Sequence, residues 1–291
     1  MNRALLFLLL TFALVLPAQQ DDRVATTFPF EFRSGMIFLP VRLNGSPPLS
    51  FVLDTGSARM LVDRALAKTL GLKATGHGSM QGAGSGRIPV ESIENVAIGL
   101  TGLDSNGYEI STTDLHPLQA SLGEKVDGIL GYEFFRRFVV TVDYAAKTLT
   151  ITPPNAFHPD PSAQPVSIQI REKWAFVPGE LVFPGAVTVQ DHFLLDTGSS
   201  DAIDHPIVTK LQSSTPSQSG VGLGAPVAGA TAKATSFRLG QYTVPSPTVA
   251  CCGATDTTSK LIGSDVLKFF TLTIDYPNAK IWLKPNLTFP K

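Results

Sequence analysis

Two short segments of this sequence combine an acid with residues suited to holding it still: Asp54-Thr55-Gly56-Ser57 and Asp196-Thr197-Gly198-Ser199. Each acid ends an apolar run, Phe51-Val52-Leu53 in the first copy and Phe193-Leu194-Leu195 in the second. Two carboxylates held about 3 Å apart cannot both ionise and so share one proton. The charged member can take a proton from water while the protonated member donates to a carbonyl oxygen. That suffices to hydrolyse an amide without a metal, a cofactor or a nucleophilic side chain. Such a pair titrates as a unit, so neither Asp54 nor Asp196 is assigned a fixed acid or base role. Thr55 and Thr197 are expected to hydrogen-bond across the two loops and keep them rigid. Gly56 lets the backbone turn sharply and approach a partner closely, and Gly198 holds the matching place. Ser57 and Ser199 either donate to the outer carboxylate oxygens or cap their own loops.

A pair of acids needs two equivalent supports, and the chain supplies them by repeating itself. The acid loops lie 142 residues apart (196 − 54). Downstream, Gly131-Tyr132-Glu133-Phe134-Phe135 is matched by Gly263-Ser264-Asp265-Val266-Leu267, now 132 residues apart (263 − 131). The same offset continues through Thr141-Val142-Asp143-Tyr144 and Thr273-Ile274-Asp275-Tyr276. A given tetrapeptide arises by chance about once in 10⁵ positions, so two copies with matching flanks indicate duplication. Between the halves, residues 153–165 carry five prolines and no periodicity, which reads as a stiff, extended linker. The expected organisation is therefore a lobe at 24–152, the linker, and a lobe at 166–291.

Within each half, valine-, isoleucine-, threonine- and phenylalanine-rich runs alternate with turn residues, which predicts an all-β fold. Met36 to Leu43 and Ser50 to Leu53 read as strands joined at the Asn44-Gly45 turn. Asp63 to Leu70 reads as a short helix with Asp63 as its cap and Gly71 at its end. The run from Gly76 to Gly86 is too glycine-rich for a core strand and is expected to be a flexible hairpin or loop. Gly220 to Gly224 is its counterpart. Asp143 and Asp275 precede turns and read as turn caps rather than catalysts. Residues beside the loops that could shape a substrate pocket are Arg59, Met60, Ala202 and Ile203, with Met80 and Gln81.

The composition narrows the alternatives. A formal net charge of −1 without a basic stripe argues against nucleic acid as a partner. The glycine runs lack the spacing of phosphate-binding loops. There is no G-x-S-x-G, and the five histidines form no triad context. Neither H-E-x-x-H nor paired C-x-x-C is present, so no metal site is expected. Cys251 and Cys252 are adjacent and cannot staple distant segments; a vicinal disulfide and two buried thiols are both open readings. Met1-Asn2-Arg3 followed by the apolar run Ala4 to Leu16 reads as a signal peptide over residues 1–18. That run is shorter than the roughly 20 residues needed to span a bilayer, so no stable membrane insertion is expected after cleavage. The expected destination is secretion or the periplasm. One chain supplies both acids, so a monomer is expected.

With its paired hydrophobic-hydrophobic-Asp-Thr-Gly-Ser loops and the apolar-apolar-glycine segments Ile129-Leu130-Gly131 and Leu261-Ile262-Gly263, the sequence resembles retropepsin-like and pepsin-like aspartic peptidases. The first half is closest to bacterial members with two lobes in one chain. The resemblance implies two pseudo-twofold-related, barrel-like β lobes with a cleft between them. It further implies endopeptidase cleavage of polypeptides and inhibition by statine-type compounds. By the same likeness, residues 76–88 would be a flap over the substrate, with Gly78, Met80, Gln81 and Gly82 as contacts. The sequence departs from the pepsin pattern in lacking a flap tyrosine, spaced cysteines and room for a long pro-segment. The competing reading is a peptide-binding or inhibitor-like protein that kept the fold and lost catalysis.

Overall fold

The computed structural model describes residues 25–81, 87–219, 227–251 and 260–290. Residues 1–18, read above as a signal peptide, lie outside the described residues, as do Gly82, Cys252 and the run 220–224. The described chain is mostly β, arranged as three sheets. One sheet belongs to each half, and a third is shared between them. Among the described residues no helix is long and apolar enough to cross a membrane.

The shared sheet has six antiparallel strands in the order Thr26–Pro29, Thr148–Thr152, Val139–Asp143, Phe270–Asp275, Lys280–Pro285, Gln164–Ser167. Its two central strands are the duplicated Thr-Val-Asp and Thr-Ile-Asp segments, paired with each other. Thr141 lies directly opposite Thr273, and their hydroxyls are 2.8 Å apart. The approximate twofold axis therefore passes between equivalent residues of the two copies. Alternate residues of these strands, Val140, Val142, Leu272 and Ile274, are fully buried, as a strand period of two requires for one covered face. Asp143 and Asp275 cap turns: their carboxylates accept from Ala146 N–H at 2.9 Å and Asn278 N–H at 3.1 Å.

The two lobe sheets share one topology. In the first, Leu49–Leu53 runs parallel to Gly128–Leu130, which in turn pairs antiparallel with Leu61–Asp63. In the second, Val187–Leu195 runs parallel to Leu261–Ile262, which pairs antiparallel with Ile203–Asp204. Each acid loop thus leaves one side of a short central strand and returns on the other. Hydrophobic runs suit these positions because the strands are covered on both faces. Phe51, Leu53, Phe193 and Leu195 are buried with Phe134, Phe135 and Phe270 in one cluster spanning both halves.

Local signals explain the connections. Asn44 and Gly45 both adopt positive φ (49° and 77°), the geometry of a tight hairpin turn. Asp63 caps the helix Arg64–Thr69 by accepting from Leu66 N–H at 3.1 Å. Gly71 and Leu72 N–H then close it on the carbonyls of Lys68 and Ala67. Residues 153–165 are less extended than their prolines suggest. Pro154–Ala156 forms a single 3-10 turn, and Asp160 closes a second turn on Ser162. Gln164 and Pro165 already belong to the outermost strand of the shared sheet. An edge strand tolerates proline because one side of its backbone has no ladder to complete.

Candidate active site

The shared sheet and the two central strands bring the acid loops face to face. Asp54 N–H donates to Leu130 C=O and Asp196 N–H to Ile262 C=O, both at 3.0 Å. One residue further on, the threonines interlock. Thr55 Oγ1 accepts from Thr197 N–H at 3.0 Å and donates to Leu195 C=O at 2.6 Å. Thr197 Oγ1 accepts from Thr55 N–H at 3.1 Å and donates to Leu53 C=O at 2.8 Å. Both threonines are buried, so water cannot substitute for these bonds. Thr55→Val keeps the shape but strands one N–H and one C=O, at about 1–3 kcal/mol each. Denaturant unfolding should show a loss of about 2–5 kcal/mol; a loss below about 1 kcal/mol would mean that something else holds the loops.

The glycines explain how close the acids come. Gly56 N–H donates to Asp54 Oδ1 at 2.8 Å, and Gly198 N–H to Asp196 Oδ1 at 2.9 Å. Each glycine also lies against the opposite acid. A Cβ on Gly56 would fall 2.5 Å from Asp196 Cγ, and one on Gly198 would fall 2.3 Å from Asp54 Cγ. Only a residue without a side chain leaves room for the opposite carboxyl at each of these positions.

Burial first, and then the charge of Asp196, push Asp54 well above the usual carboxylate range. Burial raises Asp196 to about 6, with the nearby Asp201 adding to the shift, while the loop N–H groups oppose it. Both aspartates nevertheless keep partial exposure, which leaves the pair open to solvent. Among the described residues, Asp54 and Asp196 are neighbouring acids whose ionisations are both raised.

Residues 39–134 match the family model described as aspartyl protease. Over this segment the chain is similar to the aspartyl protease family. It contains the first acid loop, the Gly76–Gln81 strand and the supporting Gly131. No curated protein matches the chain.

Around the two acid loops, several side chains lie elsewhere than the sequence suggests. Ser57 Oγ donates to Arg59 C=O at 2.8 Å, and Ser199 Oγ accepts from Asp201 N–H at 3.2 Å. Both hydroxyls therefore brace their own loops. It is the backbone N–H groups of Ser57 and Ser199 that favour the ionised acids. Met60, Ala202 and Ile203 are buried in the core rather than lining a pocket, because the chain turns straight back into a strand after each loop. Arg59 remains half-buried, with Nη1 3.3 Å from Ser111 Oγ. His192 is 3.2 Å from Gln169, far from any catalytic role in this arrangement.

The glycine-rich run is a hairpin. Gly76–Gln81 pairs with Arg87–Leu100, placing Gly78 opposite Val90, Met80 opposite Ile88 and Gln81 opposite Arg87. Met80 packs on a small cluster of Met36, Phe38, Val52, Leu61 and Ile129 beneath the hairpin. Arg87 ties the strands together by donating to the Ser79 hydroxyl at 2.8 Å and its carbonyl at 3.2 Å.

The two acid loops also have supports that sequence reading did not single out. Tyr276 OH lies 3.4 Å from Thr55 C=O. Burial, followed by the charges of Asp54 and Asp196, raises its hydroxyl above the ordinary tyrosine range. Glu133 accepts from Met60 N–H at 2.9 Å and from Lys173 Nζ at 2.9 Å. Trp174 Nε1 donates to Gly56 C=O at 2.9 Å. The repeat placed Tyr276 and Glu133 in view, but nothing local in sequence shows which backbone groups they reach.

Proposed function

We propose that this protein is an aspartic endopeptidase that hydrolyses polypeptides with water activated between Asp54 and Asp196. The observation that carries this reading is the close approach of two acids, each packed against the glycine of the opposite loop, with the ionisation of both shifted upward by burial. In the singly protonated state, the ionised carboxylate takes a proton from water as the oxygen attacks the peptide carbonyl carbon. The protonated carboxyl gives its proton to the carbonyl oxygen, forming a neutral tetrahedral gem-diol. Transfer of a proton to the amide nitrogen then lets the C–N bond break, leaving an acid, an amine and the starting protonation state. The hairpin strand with Gly78, Met80 and Gln81 is the segment that would close over the substrate, with Gly82, outside the described residues, as a further contact. A single chain is sufficient for this chemistry, and the apolar run Ala4 to Leu16 supports export to the periplasm or medium.

The test is cleavage of a mixed peptide library from roughly pH 3 to 8, with and without a statine-type inhibitor. Internal cuts blocked by the inhibitor are expected, with activity appearing as pH rises through about 6, where Asp196 ionises while Asp54 keeps its proton, and falling only when Asp54, held higher by the Asp196 charge, ionises in turn. Peptide binding without cleavage at any pH in that range would instead favour a catalytically silent binder. Asp201 supplies an additional handle because its charge raises Asp196. Asp201→Asn should move the acidic limb of the pH profile downward by about 0.3–1 pH unit. An unmoved limb would remove Asp201 from the electrostatics of the pair.

A further inference from the structure

Each half begins with a narrow hairpin whose tip reaches the acid loop of the other half. In the first half the tip lies between Glu31–Arg33 and Met36–Leu43. In the second it lies between Gln169–Arg171 and Trp174–Phe183. The two contacts differ in chemistry. Gly35 lies so close to Ser200 that an added Cβ would be 2.5 Å from the Ser200 Cβ, a contact of shape alone. The other tip carries polar groups. Glu172 and Lys173 adopt positive φ, 50° and 76°, which turns the strand into Trp174. Lys173 Nζ reaches Glu133 at 2.9 Å, and Trp174 Nε1 reaches Gly56 C=O at 2.9 Å.

The Gly56 carbonyl belongs to the same planar peptide unit as Ser57 N–H. That N–H closes the loop on the Asp54 main-chain carbonyl at 3.4 Å, while Gly56 N–H donates to Asp54 Oδ1 at 2.8 Å, and both favour the ionised carboxylate. The preceding peptide has the same design. Its N–H is that of Gly56, 2.8 Å from Asp54 Oδ1, and its carbonyl is that of Thr55, 3.4 Å from Tyr276 OH. Both peptides facing Asp54 are therefore held from behind by donors of the second half. A hydrogen bond to a carbonyl polarises its peptide and strengthens the N–H on the other side. The residue matching Trp174 in the first hairpin is Met36, which has no donor for the Gly198 carbonyl.

From this geometry we infer that Trp174 is a positioning residue: acting from the second half, its indole N–H fixes and polarises the Gly56–Ser57 peptide toward Asp54. Lys173 and Glu133 hold the hairpin tip in place, with Glu133 also receiving Met60 N–H from the same loop. The pair of acids is thus supported unequally, although the two halves match in topology. The inference builds on the proposed peptidase reading but can be tested without turnover. The titratable groups around Asp54 are Asp196 and Tyr276, with Asp201 acting on Asp196 and Tyr132 on Tyr276. Lys173 and Glu133 flank the indole.

The decisive measurement is an NMR pH titration of the full chain with labelled aspartate carboxyl carbons and labelled indole nitrogen. There are only two tryptophans, so Trp174→Phe assigns the indole signal. In the wild type, the Trp174 indole N–H shift should follow the ionisation of the acid pair, whereas that of Trp282 should not. In Trp174→Phe the ring remains and the donor is lost. The upper ionisation of the pair, that of Asp54, should then rise by about 0.5 pH unit or more. If the enzyme cuts peptides, the upper limb of kcat/KM should rise by the same amount while KM changes less than twofold, in line with a group that does not touch substrate. Lys173→Met should give a smaller shift in the same direction. An indole signal that ignores the pair's ionisation would overturn the inference even if Trp174→Phe fails to fold. So would an unchanged carboxyl titration in a folded variant. Failure of the wild type to cleave any peptide would count against the peptidase reading alone, because the titration would still be readable.

Discussion

Asp54→Asn is expected to lower peptide cleavage by roughly 10³–10⁴-fold while making the folded protein more stable at neutral pH. The first effect follows from chemistry. An amide neither takes the proton from water nor shares one with Asp196, so the variant keeps the cleft and loses the acid–base exchange. The second effect follows from linkage. Asp54 and Asp196 both have folded-state ionisations raised above the unfolded value of 3.8. Their contribution to stability is fully present below that value and is lost as pH rises toward and through about 6, the value for Asp196. Asparagine removes one buried ionisation and one like-charge repulsion. A gain of about 1–3 kcal/mol is therefore expected at pH 7, shrinking toward zero near pH 4. Thermal unfolding of wild type and variant at both pH values checks the sign. Full activity in the variant would refute the shared-proton mechanism, and a stability gain independent of pH would refute its electrostatic origin.

Gly198→Ala is expected to be nearly as damaging to activity, but by displacement of the partner acid rather than by its removal. The new methyl carbon would lie 2.3 Å from Asp54 Cγ and 2.5 and 2.7 Å from its two oxygens. No flexible side-chain end is available to yield, because Asp54 is also held by Gly56 N–H. Either the second loop retreats or Asp54 leaves its partner. Overpacking of this kind costs about 1–3 kcal/mol or more in stability. A displacement near 1 Å at reacting groups costs about 10²-fold in rate. Gly78→Ala provides the contrast. Its added Cβ would meet only Val90 Cγ2, at the ordinary contact distance of 3.8 Å. That variant should retain the wild-type unfolding transition within about 0.5 kcal/mol. Equal tolerance of alanine at 198 and 78 would mean that the acids are not packed against the opposite glycines.

The acid loops were legible in the sequence because duplication marks equivalent positions directly. Asp54 and Asp196, and the cross-loop threonines, all lie at one offset and within four residues of each other in each copy. The hydroxyls of Ser57 and Ser199 were harder to read. A short side chain on a tight loop finds both a carboxylate and its own backbone within reach, and here the backbone partners prevail. Met60, Ala202 and Ile203 were misread as pocket residues because proximity in sequence to a loop does not say how soon the chain dives back into a sheet. Trp174 gave no signal, since the backbone it holds is 118 positions away. The shared sheet was only half visible. The matching Thr-Val-Asp and Thr-Ile-Asp segments announced two equivalent strands, but a repeat cannot show that its copies pair with each other.

That pairing has a consequence for how the molecule is made. Val139–Asp143 cannot acquire its neighbour until Phe270–Asp275 has left the ribosome, 132 residues later (275 − 143). At ordinary synthesis rates the delay is about 7–26 s. During that interval the first half can assemble its own sheet, but one strand presents an unpaired backbone edge suited to pairing with another chain. Nascent chains on crowded polysomes are then most exposed to joining first half with first half. The strand contact that fixes the two acids in register is among the last that synthesis permits.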